Sequence, residues 1–329
     1  MTDQTAALPT PSATHDGDKP SIFHGGGLWR DTLFRAVLIA SGAVVLVTLG
    51  AILVLLFQGG FPVLQAFGLE FFTSPDWNPV TERYGALVML YGTLITSIIA
   101  VIVGVPVSFG IAFFLTEVAP QRIRRPVGMA IQLLAAVPSI IFGMWGFFVV
   151  APIMASTIQP ALIAALGPIP FIGMLFQGAP MGTGILTAGL ILALMIVPFM
   201  SAMFVEIIES VPPVLKEAAY GIGSTTWEVY RNISLPYGRS ALVGAGMLGL
   251  GRALGETMAV TFVIGNANRL STSLLAPGSS IASTIANEFP EAGPGSLKLH
   301  ALLELGFALF VISFIVLALA RWLVKSRLK

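Results

Sequence analysis

Residues 206–239 read EIIESVPPVLKEAAYGIGSTTWEVYRNISLPYGR, a polar interruption between two hydrophobic segments that are each long enough to cross a bilayer. Pro212 and Pro213 suit the first turn of a helix over Val214–Tyr220, because an N–H is not needed there. Gly221 and Gly223 stop that helix. Thr225 and Thr226 offer an N-cap for a second one, with Glu228 in its first turn and Arg231 near its end, as the helix dipole favours. Asn232 and Leu235-Pro236 are expected to end it. The outcome is an elbow of two short crossed helices, presenting Tyr220, Ile222, Trp227 and Tyr230 as an apolar surface. Such an elbow can receive force from a soluble partner, or it can be a connector with an amphipathic helix resting on lipid.

The chain around it is not a soluble domain. Of 329 residues only 10% are charged, with 35 Gly, 22 Phe and 22 Pro, and mean hydropathy is +0.89. That composition points to an all-α polytopic bundle in a membrane. A net charge of +1 speaks against a nucleic-acid partner. There is no cysteine, and His15, His24 and His300 have no metal-ligand spacing, so neither metal nor cofactor is expected. No GxxxxGK[ST] occurs, so ATP must be held by another chain. Residues 1–28 read as a disordered polar tail with no signal-peptide pattern, and 29–329 as the membrane domain.

Six apolar windows are long enough to span: Leu33–Phe57, Leu87–Leu115, Val127–Val150, Gly182–Val205, Ala241–Ile264 and Ala301–Ala320. The second runs about 43 Å as a helix, so it tilts, kinks or protrudes. Pro106, Pro138 and Pro198 are expected to kink the second, third and fourth spans. Pro152–Gln177, broken by Pro152, Pro160, Pro168 and Pro170 with Gly167 and Gly173, is expected on the external face as short helices lying on or dipping into the membrane surface. With six spans, Arg30, Arg35, Arg122, Arg124, Arg125, Lys216, Arg231, Arg239, Arg321, Lys325, Arg327 and Lys329 share one side, leaving Arg83, Arg269 and Lys298 on the other. The positive-inside rule then makes both termini and the elbow cytoplasmic, in a bacterial inner membrane. Trp77, in the outer segment Gln58–Tyr84, reads as an interfacial anchor, a cap on the bundle or a partner contact. Asn266–Leu297 is expected to be an external loop.

The fifth window carries charge at depth. Arg252 lies about 18–20 Å along the helix from Arg239, and Glu256 one turn further; four residues apart, they share one helix face and can pair. Charges there face the bundle interior or a water-filled cavity. They are either a salt bridge tying helices together or a fixed cation on an anion path moderated by a carboxylate. Guanidinium suits oxyanions through its planar two-donor fork. Gly244, Gly246, Gly249, Gly251 and Gly255 allow close helix approach.

Glu217-Ala218-Ala219, then Gly223, Ile233 and Leu235-Pro236, resemble the EAA loop of ABC-importer permeases. GLGRALGETMAVTFVIGN (249–266), WNPVTERYGA (77–86), YGTLITS (91–97), VPSIIFGMWG (137–146) and APGSSIASTIANEFPEA (276–292) further resemble the PstC-type permease subunit of the phosphate ABC importer. The resemblance implies a type I importer permease fold, a homologous PstA-type permease partner, a soluble ABC ATPase dimer and an external phosphate-binding protein. It implies that Glu217, Ala218, Ala219, Gly223, Ile233, Leu235 and Pro236 couple to the ATPase. Arg252 and Glu256 would line the path for inorganic phosphate. The competing readings are a permease for sulfate or molybdate, a stand-alone anion channel, and an intramembrane enzyme, for which no converging acid–base set is visible.

Overall fold

The computed structural model describes residues 28–327; the tail expected over the first residues lies outside them. Among the described residues the chain is mostly helical, and its strands form one hairpin of two residues each. The all-α expectation therefore holds. The chain divides into two units, residues 1–52 and residues 53–329. In the first, the helix that begins at Leu28 exposes its apolar side chains, Leu46 and Val47 each at 71%. That helix, α1, runs Leu28–Phe67, ten residues past the window read from sequence.

In the second unit, α2 (Glu70–Thr73) leads into β1 (Trp77–Asn78) and β2 (Arg83–Tyr84), paired antiparallel with Trp77 opposite Tyr84. Asn78 Oδ1 accepts the N–H groups of Val80 and Thr81 at 2.9 and 3.3 Å, which closes the turn. Trp77 is buried, stacks edge-on against Tyr84 and donates Nε1–H to Glu288 at 2.9 Å. It is a clamp within the protein, not an anchor in the membrane interface.

Helix α3 (Leu87–Phe113, extended by a π-helical turn Phe114–Val118) lies against α6 (Ile185–Glu209), the most deeply buried long helix. Ile191, Leu192, Ile196, Met200 and Phe204 of α6 are at most 1% exposed. Glycines permit the approach: a Cβ on Gly104 would lie 2.9 Å from Ile196, and one on Gly189 2.6 Å from Ile99. In lipid, such close packing replaces the hydrophobic effect as the main force between helices. Pro106 and Pro198 lie inside unbroken α3 and α6.

The third expected span is wrong in its bounds. Residues 127–150 belong to two helices, α4 (Gln121–Ala135), which buries no residue, and α5 (Ser139–Leu166). Pro138 sits at the N-cap of α5 with ψ 137°. It starts a helix instead of kinking one, because the residue before a proline is pushed out of the helical region. Correspondingly, Pro152–Leu166 is the second half of this one long apolar helix.

A single device explains why prolines read as breakers fail to break. Four π-helical turns, Phe114–Val118, Gly146–Val150, Met154–Ile158 and Tyr230–Ser234, each end two residues before a proline: Pro120, Pro152, Pro160 and Pro236. In each, the residue just before the proline donates its N–H five residues back, as Ala151 to Gly146 and Leu235 to Tyr230. The widened turn takes up the missing donor and carries the crowded carbonyl away from the ring. Only at Pro120 does the helix end, through extended Ala119.

The elbow follows as α7 (Pro213–Gly221) and α8 (Thr226–Val229). The chain then continues through the π turn into α9 (Leu235–Leu254), α10 (Met258–Val263), α11 (Ile281–Glu288) and α12 (Leu297–Arg327). The fifth expected span is thus broken at Gly255–Thr257, and five described helices are single, long and apolar enough to cross a membrane. Part of the expected external loop is helical: α11 has a capping box in which Ser280 and Ser283 bond each other's backbone.

Candidate functional site

The elbow is built as its residues require. Pro212 caps α7, Gly223 takes φ +90°, and Ser224 N–H returns to Ala219 C=O at 3.1 Å. A side chain at 223 would strain that turn. Thr225 and Glu228 form a complete capping box: the Glu228 carboxylate accepts from the Thr225 N–H and hydroxyl, each at 2.8 Å. Those two hydrogen bonds, the backbone one first, hold the Glu228 carboxyl below its ordinary 4.5.

Of the residues expected from sequence to couple to an ATPase, Glu217, Ala218, Gly223 and Pro236 are exposed, Ile233 and Leu235 are half-buried, and Ala219 is buried. The structure divides the apolar surface read from sequence. Ile222 is 86% exposed, and Tyr220 and Trp227 are open to solvent, but Tyr230 is buried. Its ring packs edge-on to Phe113 at 4.7 Å, and its hydroxyl reaches Phe109 C=O at 3.4 Å. Burial, reinforced by the charge of Glu117, pushes the Tyr230 hydroxyl up to about 12. The elbow is tied to the end of α3 by Lys216 Nζ, 2.7 Å from Glu117 Oε1 and largely shielded from solvent. Arg124 also bonds Thr116 C=O.

Leu235-Pro236 does not end the second elbow helix. Residues 226–254 form one helical rod through the π turn, about 40 Å at the helical rise. The capping box stands at one end and Arg252 near the other.

Arg252 and Glu256 are not a pair on one face, because the helix stops at Gly255, whose N–H returns to Gly251 C=O at 3.2 Å. Glu256 belongs to the break. Its Oε1 accepts the Ala259 N–H at 3.2 Å and so satisfies a free donor at the start of α10. Among the described residues no carboxylate forms an ion pair with Arg252. Its guanidinium lies 5.5 Å from the centre of the Phe199 ring on α6, and its Nε is buried without a partner. A cation on an aromatic face gains about 0.5–2 kcal/mol, yet keeps its in-plane donors free for a planar acceptor. The salt-bridge reading of this pair therefore fails geometrically. Phe199 has no signal in the sequence, since an aromatic in an apolar span has no distinguishing neighbours there.

Around this break the chain doubles back. Gly265 takes φ +91° and Asn266 φ 50°, and Gly278 N–H bonds Ile264 C=O at 3.0 Å. Leu186 N–H bonds Leu274 C=O at 2.8 Å, and Ile281 N–H bonds Thr93 Oγ1 at 2.9 Å. Non-helical backbone near the spans is thus satisfied inside the protein. On α12, Glu304 is fully buried and neither carboxyl oxygen has a partner. It packs where Gly60 leaves room, for a Cβ there would lie 2.8 Å from the Glu304 Cα.

Comparison with known proteins agrees with this architecture. Residues 104–329 match the family model described as "Binding-protein-dependent transport system inner membrane component". The chain is 54% identical over 293 residues to a protein of Mesorhizobium japonicum named "Phosphate transport system permease protein PstC", covering 89% of each. It is 55% identical over 291 residues to one of the same name from Xylella fastidiosa, covering 88% of this chain and 89% of that one. Among solved structures, the fold resembles a chain of a bacterial alginate ABC transporter with TM-score 0.59 at 18% identity, covering 92% and 99%. A chain of the MetNI methionine ABC transporter gives 0.51 at 15%, covering 76% and 99%. The helical bundle and these matches agree: the chain belongs to the binding-protein-dependent transport system inner membrane component family and, within it, to the PstC permeases.

Proposed function

We propose that this chain is a permease subunit of an ATP-driven importer of inorganic phosphate, multi-pass in the bacterial inner membrane with both termini and the elbow in the cytoplasm. Its partners are a homologous PstA-type permease, a soluble ABC ATPase dimer and an external phosphate-binding protein. The observation that carries the mechanism is the rod of residues 226–254, which joins the elbow to Arg252 without a flexible joint. The ATPase grips exposed Glu217 and Ala218 and the turn at Gly223. Its closure on ATP displaces α7, and the rod moves the Arg252 guanidinium. Phosphate delivered from outside meets a cation that, among the described residues, has no competing carboxylate, and leaves when the rod tilts back. Glu256 shapes the break that lets α10 and α9 move apart. Relatives named as phosphate permeases at 54–55% identity favour phosphate over sulfate or molybdate.

Replacing Arg252 with Gln tests this. Loss of a charge-assisted contact to the anion, on the order of 1.5–3 kcal/mol, lowers phosphate uptake about ten- to hundred-fold while the other subunits still co-purify. Arg252→Lys recovers part of the activity. Normal uptake in Arg252→Gln removes Arg252 from the path. Lost co-purification makes it a packing residue instead, and uptake that persists when the ATPase is inactive turns the chain into a channel.

A further inference from the structure

A second face of the rod carries a site of its own. Between α3 and α9 lies a groove of ≈ 970 Å³. Its floor on α3 is Val101, Val105 and Phe109, spaced four apart and therefore one continuous strip. The facing wall on α9 includes Leu242, Met247 and Leu250. The two charged lining residues, Arg231 and Arg239, both lie toward the elbow. They are eight positions apart, about 12 Å along the helix. No carboxylate lines the groove, and among the described residues neither arginine forms an ion pair.

This is not the proposed anion path seen from another side. Arg252 is thirteen positions beyond Arg239 on the same helix. At about 100° per residue that places it roughly 140° around the axis, toward Phe199. Nor does the groove suit a free inorganic anion, because past the two guanidinium groups its wall is almost entirely aliphatic and aromatic. Its helices include two of those long and apolar enough to cross a membrane, α3 and α6, and its two cations stand together at one end. Cations at one end and an apolar trough behind them match one kind of occupant.

We propose that this groove binds an anionic phospholipid, its phosphate diester held by Arg231 and Arg239 and an acyl chain laid along Val101, Val105 and Phe109. The site uses the fold alone and stands whether or not phosphate is the cargo. Its position beside the π turn lets a bound lipid brace the rod where it leaves the elbow.

The test is native mass spectrometry of the assembled transporter in mild detergent, after delipidation and add-back of phosphatidylglycerol or phosphatidylcholine. Wild type retains phosphatidylglycerol at least ten-fold better than phosphatidylcholine, and R231Q/R239Q loses that preference while R231K/R239K keeps most of it. A V105W variant, which fills the trough and leaves both arginines, also loses the lipid. Equal retention of the two lipids overturns the proposal, as does unchanged retention in R231Q/R239Q. Displacement of the lipid by millimolar inorganic phosphate identifies a free-anion site instead. A cysteine at Met247 that cross-links to a partner permease shows that a protein helix fills the groove, and equally overturns it. Phosphate uptake measured alongside separates failure of this site from failure of the import reading.

Discussion

At the residue scale, charge is placed by what surrounds it. Glu256 was legible as an intramembrane carboxylate but not as a cap, because the sequence carries no warning that the helix stops at Gly255. Five glycines in that span read equally well as packing positions. Arg252 was legible as a cation within an apolar window, yet its isolation from Glu256 depends on that same stop. Glu228 shows the opposite case, a role readable from the Thr-x-x-Glu spacing and realised as a complete capping box. Its carboxyl is depressed below 4.5 in the folded chain, so its contribution to elbow order is present above that value and lost as pH falls through the lower folded one. Hydrogen-exchange protection of residues 225–229, corrected for intrinsic rate, is expected to decline below about pH 4.5. Glu228→Gln flattens that decline.

At the element scale, the π turns matter most. Proline rules alone place helix ends at Pro152, Pro160 and Leu235-Pro236, and all three are overruled by one widened turn apiece. At Pro236 the consequence is mechanical: the elbow and Arg252 share one rod. Pro236→Ala supplies the missing N–H and removes the reason for the wide turn. Return to the α register rotates the elbow relative to Arg252 by about 100°. Phosphate uptake per ATP hydrolysed is expected to fall several-fold while subunit assembly and ATP hydrolysis persist. Unchanged coupling would mean that the rod does not carry the motion.

At the scale of the whole molecule, long-range ties hold the segments that the chain separates. Lys216 and Glu117 are 99 residues apart in sequence and join the elbow to the end of α3. Because both side chains are mostly shielded, their coupling should exceed that of a surface pair, about 1–2 kcal/mol in a double-mutant cycle of Lys216→Ala and Glu117→Ala read by thermal unfolding. A coupling near zero would leave the elbow held by the aromatic contacts of Trp227 and Tyr230 on Phe113 and by the Tyr230 hydroxyl on Phe109 C=O. At the opposite end, Trp77 and Glu288, 211 residues apart, pin the hairpin to α11.

By itself the sequence determined the helical membrane class, four long apolar helices close to their expected windows, the two-helix elbow with its caps, and an arginine set within an apolar stretch. These rest on composition, hydropathy over a bilayer's length and local capping chemistry, all of which act within a few turns of chain. Only the tertiary structure decided where the third and fifth windows divide, that three prolines are carried through helices, that Tyr230 turns inward and that Arg252 faces Phe199 instead of Glu256. Those outcomes depend on which backbone donors find partners and which rings find space across elements far apart in the chain, and no local pattern encodes either.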